Sequence, residues 1–278
     1  RVPGAVIFLS VDGSYKSHTG IQFKDDACFL SLDKEGKHLL GISYGSGRLN
    51  VYPLDSRGIP GDAVSTINEG MNKAHCVLLP PDGKNLYIPC VKDNLALLQY
   101  SYDGDSGGII PLEPQNANPP EGTGPRHMAY HPTLPMVYFS NEQGVGLSVY
   151  HRQANGQLKI KQDINILPQG MSKIGLSASD LLITPDGKFL FAGLRGHKQN
   201  FDHISRYRVL EDGRAEFLGL TKAEKIPWGL TLSPDGKYLM VSATLGSSLN
   251  AYRISPGGNL QEVGSLAWDT GISDLITR

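Results

Sequence analysis

Apolar positions along this chain come in short bursts rather than helical arcs. Five segments share one order: a short apolar strand, a turn, a second apolar strand, a turn, then a strand alternating apolar and polar residues. They read CFLSLDKEGKHLL at 28–40, CVLLPPDGKNLYI at 76–88, MAYHPTLPMVYFS at 128–140, DLLITPDGKFLF at 180–191 and GLTLSPDGKYLM at 229–240. The turn residue falls at Gly36, Gly83, Pro135, Gly187 and Gly236, a period of about 50 residues. Pro-Asp-Gly-Lys supplies a preset φ, a side chain that caps the turn, and a residue free to take positive φ. The third strands (RLNVYPLD, LALLQYSYD, GLSVYHRQ, HISRYRVLED and SLNAYRISP) read as half-buried. A weaker fourth strand follows, for example AEFLGLT and LQEVGSL. Four strands make one blade, and such repeats bury their faces only by stacking on neighbours. The sequence therefore predicts an all-β fold, a β-propeller of four-stranded blades, about five of them complete.

The front segment VIFLSVDGSYK (6–16) reads as outer strands of a further blade, and GISDLITR (271–278) as a last strand. A ring with a gap would expose strand edges, which proteins normally avoid. The expectation is a single propeller domain over 1–278 that lacks one to two N-terminal blades.

Composition narrows the function classes. The 33 Gly and 18 Pro favour tight turns, and the net charge of -1 offers no basic footprint for nucleic acid or a membrane surface. No apolar run approaches the roughly 20 residues that span a bilayer. The first residues lack a signal-peptide layout. Cys28, Cys76 and Cys90 form no Cys-x-x-Cys pair, which argues for a reducing, cytoplasmic setting and against structural zinc. Glycine-rich nucleotide motifs are missing, Gly45 and Gly47 reading as a tight strand turn. No carboxylate cluster has metal-ligand spacing, so neither a metal nor another cofactor is expected.

Charges stand out where a propeller's inner strands are normally small and apolar. His75 precedes the inner strand of the second repeat, and Arg126 and His127 that of the third. Strand ends of one sense lie around the axis, so these three should converge. Glu142 and Arg195 follow second strands, which run in the opposite sense. They need a loop or a tilt to reach the same mouth, so pattern alone does not place them. His131, in a His-Pro turn, reads as exposed and structural.

SYGSGRLNVYPLD (43–55), GPRHMAYHP (124–132), FSNEQ (139–143) and the PDGK turns together resemble the lactonase-type seven-bladed propellers. That family holds propeller 6-phosphogluconolactonase and the fungal 3-carboxy-cis,cis-muconate lactonizing enzyme. The resemblance runs from about residue 20 to the C-terminus. It implies seven blades and a polar site to which His75, Arg126, Glu142 and Arg195 correspond. On this reading His75 is the base, and Arg126 and Arg195 hold an anion with their planar forks. Glu142 either acts as a second base or holds the histidine or a water. His127 is a site wall or a structural hydrogen-bonding residue. Asp180 matches a family acidic position, where it lines the site or caps a turn.

Trp228 departs from the pattern, because phosphogluconolactonase-like members often carry Arg there. The loss of a cation counts against a phosphorylated substrate. The resulting expectation is a lactonase acting on a small anionic sugar lactone, with 6-phosphogluconolactone the first candidate. The alternatives are a cycloisomerase acting on a carboxymuconate-type diacid and a non-catalytic propeller that scaffolds protein partners.

Overall fold

A computed structural model describes residues 2–9, 14–68, 73–92, 95–268, 271–272 and 274–275. Every regular element among them is a β-strand. The chain forms two compact units, one of residues 1–90 and 97–116, the other of 91–96 and 117–278.

The N-terminal unit opens with the antiparallel pair β1 (Val2–Leu9) and β2 (Tyr15–Phe23). This is the front segment of the sequence, although residues 10–13 lie outside the described residues. The first full sheet runs β3 (Phe29–Leu32), β4 (His38–Ile42), β5 (Leu49–Pro53), β6 (Ser65–Ile67). The second holds β7 (Asn85–Cys90), β8 (Ala96–Asp103) and β9 (Gly108–Asn116). In place of the strand expected at its start, two isolated bridges tie Ala74 to Cys90 and Leu78 to Tyr87.

The C-terminal unit holds three four-stranded sheets in strict sequence order. They are β10 (Pro125–Tyr130) to β13 (Leu158–Asn165) through β11 (Met136–Asn141) and β12 (Gly146–Arg152); β14 (Leu176–Ile183) to β17 (Ala215–Lys222) through β15 (Phe189–Gly196) and β16 (His203–Val209); and β18 (Pro227–Leu232) to β21 (Leu260–Ala267) through β19 (Tyr238–Ala243) and β20 (Ser248–Ile254). Sequential antiparallel pairing in fours is the blade predicted by the repeat. Of the strand expected at 271–278, residues 273 and 276–278 lie outside the described residues, and the rest is not a strand.

Apolar side chains fill the space between these sheets. Tyr138, Leu147 and Val149 pack with Leu181, Leu190 and Ala192. On the other face of the middle sheet, Phe191 and Ile204 pack with Leu230, Leu239 and Val241. Each Val, Leu, Ile or Phe among them contributes about 1.5–3 kcal/mol by leaving water.

Third strands β16 and β20 are half-buried as expected, while the others are more deeply buried. β5, β8 and β12 are buried along most of their length. One polar residue in the third strand of each repeat is buried, namely Asn50, Gln99, Ser148, Ser205 and Asn250. Each is hydrogen-bonded, as when Asn250 Nδ2 donates to Glu262 and Gln99 Nε2 to Pro114 O. Alternation here separates apolar packing from a buried polar seam, since a buried polar group is tolerated once bonded. The turn glycines behave as read: Gly36, Gly83, Gly187 and Gly236 have φ of 67–73°, and Gly47 has positive φ in the β4–β5 turn.

Candidate active site

The first strand of each C-terminal sheet carries the same irregularity. Four residues of β10, from Pro125 to Met128, span three residues of β11, from Asn141 to Phe139. The same excess recurs between Ala178 and Leu181 of β14 and between Pro227 and Leu230 of β18. Each is a β-bulge, which re-aims side chains and sharpens local twist. The bulged pairs are Arg126-His127, Ser179-Asp180 and Trp228-Gly229. Arg126 and His127 thus sit inside β10, not ahead of it.

The bulges are pinned by hydroxyls. Ser140 Oγ accepts from His127 N at 3.2 Å and donates to Ser179 O at 2.8 Å, in the next sheet. Ser179 Oγ donates to Pro227 O at 2.7 Å, in the third. Gly193 leaves room for that step, because a Cβ there would collide with Ser179 Oγ and Pro227 O.

Glu142 and Arg195 reach this end without a special loop or tilt. Antiparallel pairing returns the second strand to the start of the first: Asn141 faces Pro125, and Arg195 faces Ser177. The sense reversal read as an obstacle is what brings these residues back. Backbone bonds fix Glu142, with its N–H on Gly124 O and its carbonyl accepting from Ala178 N. Gly196 N–H donates to Asp202 Oδ1, holding the residue after Arg195.

The side chains then meet. Arg126 Nε lies 3.1 Å from Glu142 Oε2, and Arg195 Nη2 lies 3.6 Å from the same oxygen. Arg195 Nη2 also donates to Ala178 O at 2.9 Å. Arg126 is fully buried and Arg195 nearly so. The Trp228 ring takes both cations, with guanidinium carbons 4.5 Å (Arg195) and 5.5 Å (Arg126) from its centroid. Contacts of this kind contribute about 0.5–2 kcal/mol each. Burial, then the neighbouring Arg126, lowers the Arg195 pKa to about 10, against the pull of Glu142. Among the described residues, two guanidiniums share one carboxylate oxygen, an arrangement that favours a further anion.

Next to this cluster, His127 Nδ1 lies 2.8 Å from Asp180 Oδ1. Asp180 also accepts from Leu181 N at 2.8 Å and, through Oδ2, from Leu230 N at 2.9 Å. One carboxylate therefore gathers donors from all three sheets. Burial would raise the Asp180 pKa, but the bonds from His127, Leu230 and Leu181 hold it below the usual value. Burial and the charge of Arg126 lower the His127 pKa, with Asp180 opposing. His127 Nδ1 thus faces a carboxylate that is itself held by backbone N–H groups of two sheets.

His75 belongs to the N-terminal unit. The bridge from Ala74 to Cys90 gives it the place in its repeat that Arg126 and Trp228 hold in theirs. Its ring meets Tyr44 edge-on at 5.6 Å. His131 is buried rather than exposed, its Nδ1 accepting from Thr133 N and Leu134 N. Sequence reasoning passed over Ser177 and His197, joined at 2.9 Å beside Arg195. The His197 pKa is lowered by burial and by Arg195. The signal was available in GLRGHKQN, where His197 lies two residues after Arg195, just past the end of β15.

No group of three His, Cys, Asp or Glu side chains suited to a metal ion occurs among the described residues. No helix among them is long and apolar enough to cross a membrane.

The family described as lactonase, 7-bladed β-propeller, matches residues 5–269. The 6-phosphogluconolactonase of Klebsiella pneumoniae (strain 342) is 32% identical over 246 residues, covering 87% of this chain and 71% of the relative. Among solved structures, the periplasmic gluconolactonase of Pseudomonas aeruginosa superposes with a TM-score of 0.83 at 20% identity, over 97% of this chain and 78% of that one. A putative 6-phosphogluconolactonase from Bacteroides fragilis gives 0.81 at 20% identity, with the same coverage. The structural likenesses speak for the fold; the family match and the closer sequence relative speak for descent. Sheets of four consecutive strands, a register-matched polar mouth and this match over nearly the whole chain make the protein a member of the lactonase seven-bladed β-propeller family.

Proposed function

We propose that this protein hydrolyses a sugar lactone, 6-phosphogluconolactone being the first candidate. The observation that carries the reading is the buried pair Arg126 and Arg195, both on Glu142 Oε2 and both against Trp228. Opening a lactone places negative charge on the carbonyl oxygen as water adds. Fixed donors aimed at that charge in a water-poor site are the largest common source of rate enhancement. Two guanidiniums can serve the oxyanion, an anionic group of the substrate, or one each. Glu142 keeps both forks in place until substrate arrives. The names of the curated relatives support hydrolysis over cyclisation of a diacid. Trp228 leaves those two guanidiniums in place, so a phosphorylated lactone stays within the chemistry of the site.

Two histidines stand at first-strand positions, His75 and His127, and either residue type can move the proton of the attacking water. The test is turnover of 6-phosphogluconolactone and glucono-1,5-lactone by the purified protein, with and without chelator. Acceleration in both conditions is expected. The Arg126→Ala protein should lose about 1000-fold in kcat/KM. No acceleration of either lactone by folded protein would overturn the proposal.

A further inference from the structure

We infer that Ser177 and His197 recognise the hydroxyl groups of the lactone and so select a polyhydroxylated ring over a plain one. The inference rests on the lactonase reading and names the feature of the substrate that this edge of the site selects.

The strands place the groups. Ser177 of β14 faces Arg195 of β15 in register, so their side chains share one face of the sheet. His197 lies two residues beyond Arg195, which in extended chain is a step of about 7 Å along the same face. Its Nε2 lies 2.9 Å from Ser177 Oγ, so the ring does turn to that face. Exposure changes along this line. Every residue of β15 is buried, Arg195 included, whereas His197 is exposed. Charge lies at the buried end, and the polar line opens to water at the imidazole. A lactone whose carbonyl is turned toward Arg195 presents its ring hydroxyls along Ser177 and His197.

The pair suits hydroxyls rather than charge. Burial and then the charge of Arg195 lower the His197 pKa, with Glu142 and Asp202 opposing, so the imidazole is neutral at pH 7. A hydroxyl and a neutral imidazole each donate and accept, as a sugar hydroxyl does. Whichever of the two donates in their mutual bond, a serine hydroxyl has capacity for a further one. Anionic groups of the substrate fall to the two guanidiniums.

A structural staple is the competing account, but the loop is fastened without this bond. Gln199 Nε2 donates to Ser172 O at 3.2 Å and to Ile174 O at 2.7 Å. Asp202 Oδ1 accepts from Gly196 N at 2.8 Å and from Ile226 N at 2.9 Å. These contacts hold the chain on both sides of His197.

Turnover of two lactones tests the inference. The wild type should favour glucono-1,5-lactone over δ-valerolactone, the same ring without hydroxyls. Ser177→Ala and His197→Ala should each lower kcat/KM for glucono-1,5-lactone about 10-fold, mainly through KM, and leave δ-valerolactone turnover and Tm nearly unchanged. The double variant should lose little more than either single one, since the pair acts as a unit. NMR gives a readout apart from turnover: the His197 imidazole signals should shift with added gluconate and not with hexanoate, a carboxylate of equal chain length without hydroxyls. Equal losses on both lactones with a lowered Tm would show the pair to be structural and overturn the inference. So would full activity of both single variants, or a His197 signal indifferent to gluconate. A wild type that hydrolyses neither glucono-1,5-lactone nor 6-phosphogluconolactone, with His197 still responding to gluconate alone, would overturn the lactonase reading and uphold hydroxyl recognition.

Discussion

The two ends of the hairpins in the C-terminal unit are built from one repeat and behave in opposite ways. At the turn end, charges pair with near neighbours in the same turn and remain in water: Lys188 with Asp186, and Lys237 with Asp235. At the bulge end, charges pair across sheets and out of water: Arg195 with Glu142, and His127 with Asp180. The turn end is the same Pro-Asp-Gly-Lys in the second and third sheets, because a tight turn tolerates few residue types, and His131–Pro135 takes its place in the first. The bulge end differs in every sheet, with Arg-His, Ser-Asp and Trp-Gly at one place in the strand. What is repeated sets the frame, and what departs from the repeat carries the chemistry.

Moving one charge at each end sharpens this contrast most. Glu142→Gln strips two buried arginines of their shared carboxylate and should cost about 3 kcal/mol, since breaking a buried pair leaves charge uncompensated. For a chain of this size that is a fall in Tm of about 8 °C. Asp235→Asn, at the exposed end, should leave Tm unmoved, as isolated surface pairs contribute little. Equal effects from the two changes would break the comparison.

Backbone geometry is what the turn end depends on. Gly187 has φ of +73°, and a Cβ there would lie 2.6 Å from His131 Nε2. Gly187→Ala should cost about 2 kcal/mol, read from the urea midpoint. Lactone turnover at temperatures where the variant is folded should be unaffected, because the turn lies at the far end of the strands from Arg126.

Acidification produces the smallest effect and touches both ends. His127 and His131 both have pKa values lowered from 6.5 in the fold, first by burial. The unfolded chain therefore binds more protons just below pH 6.5, and stability falls as pH drops through that range. Urea midpoints at pH 7.5 and pH 5.5 check this. A midpoint that rises on acidification would contradict it.

The sequence displayed the repeat plainly because a turn is a local event. PDGK dictates its own conformation, and 49 residues separate Gly187 from Gly236 just as a blade period requires. The bulges were not legible. A bulge is a mismatch between two strands, and nothing within PRHM alone says that its partner strand will be one residue short. The pairing of His127 with Asp180 was hidden for a related reason, since it joins residues 53 apart through the stacking of two sheets. Arg126, Glu142 and Arg195 stood out as charges in an apolar setting. Their meeting on one oxygen needed the register of β10 with β11 and of β14 with β15. Trp228 was visible as a departure, but its contact with two arginines was not. The buried seam of Asn50, Gln99, Ser148, Ser205 and Asn250 was misread as a solvent face because polarity alone does not report burial.

The hydroxyl contacts that run from Ser140 to Ser179 and from Ser179 to Pro227 have an evolutionary consequence. Ser140, which lies outside the bulges, joins the backbone of one bulge to that of the next, so these two stay in step whatever side chains Arg126, His127 and Asp180 are exchanged for. Selection can then exchange Arg for Trp, or His for Asp, without renegotiating the docking of neighbouring sheets. A duplicated ancestral unit thereby becomes a row of interchangeable sockets, and new substrate preferences can arise one socket at a time.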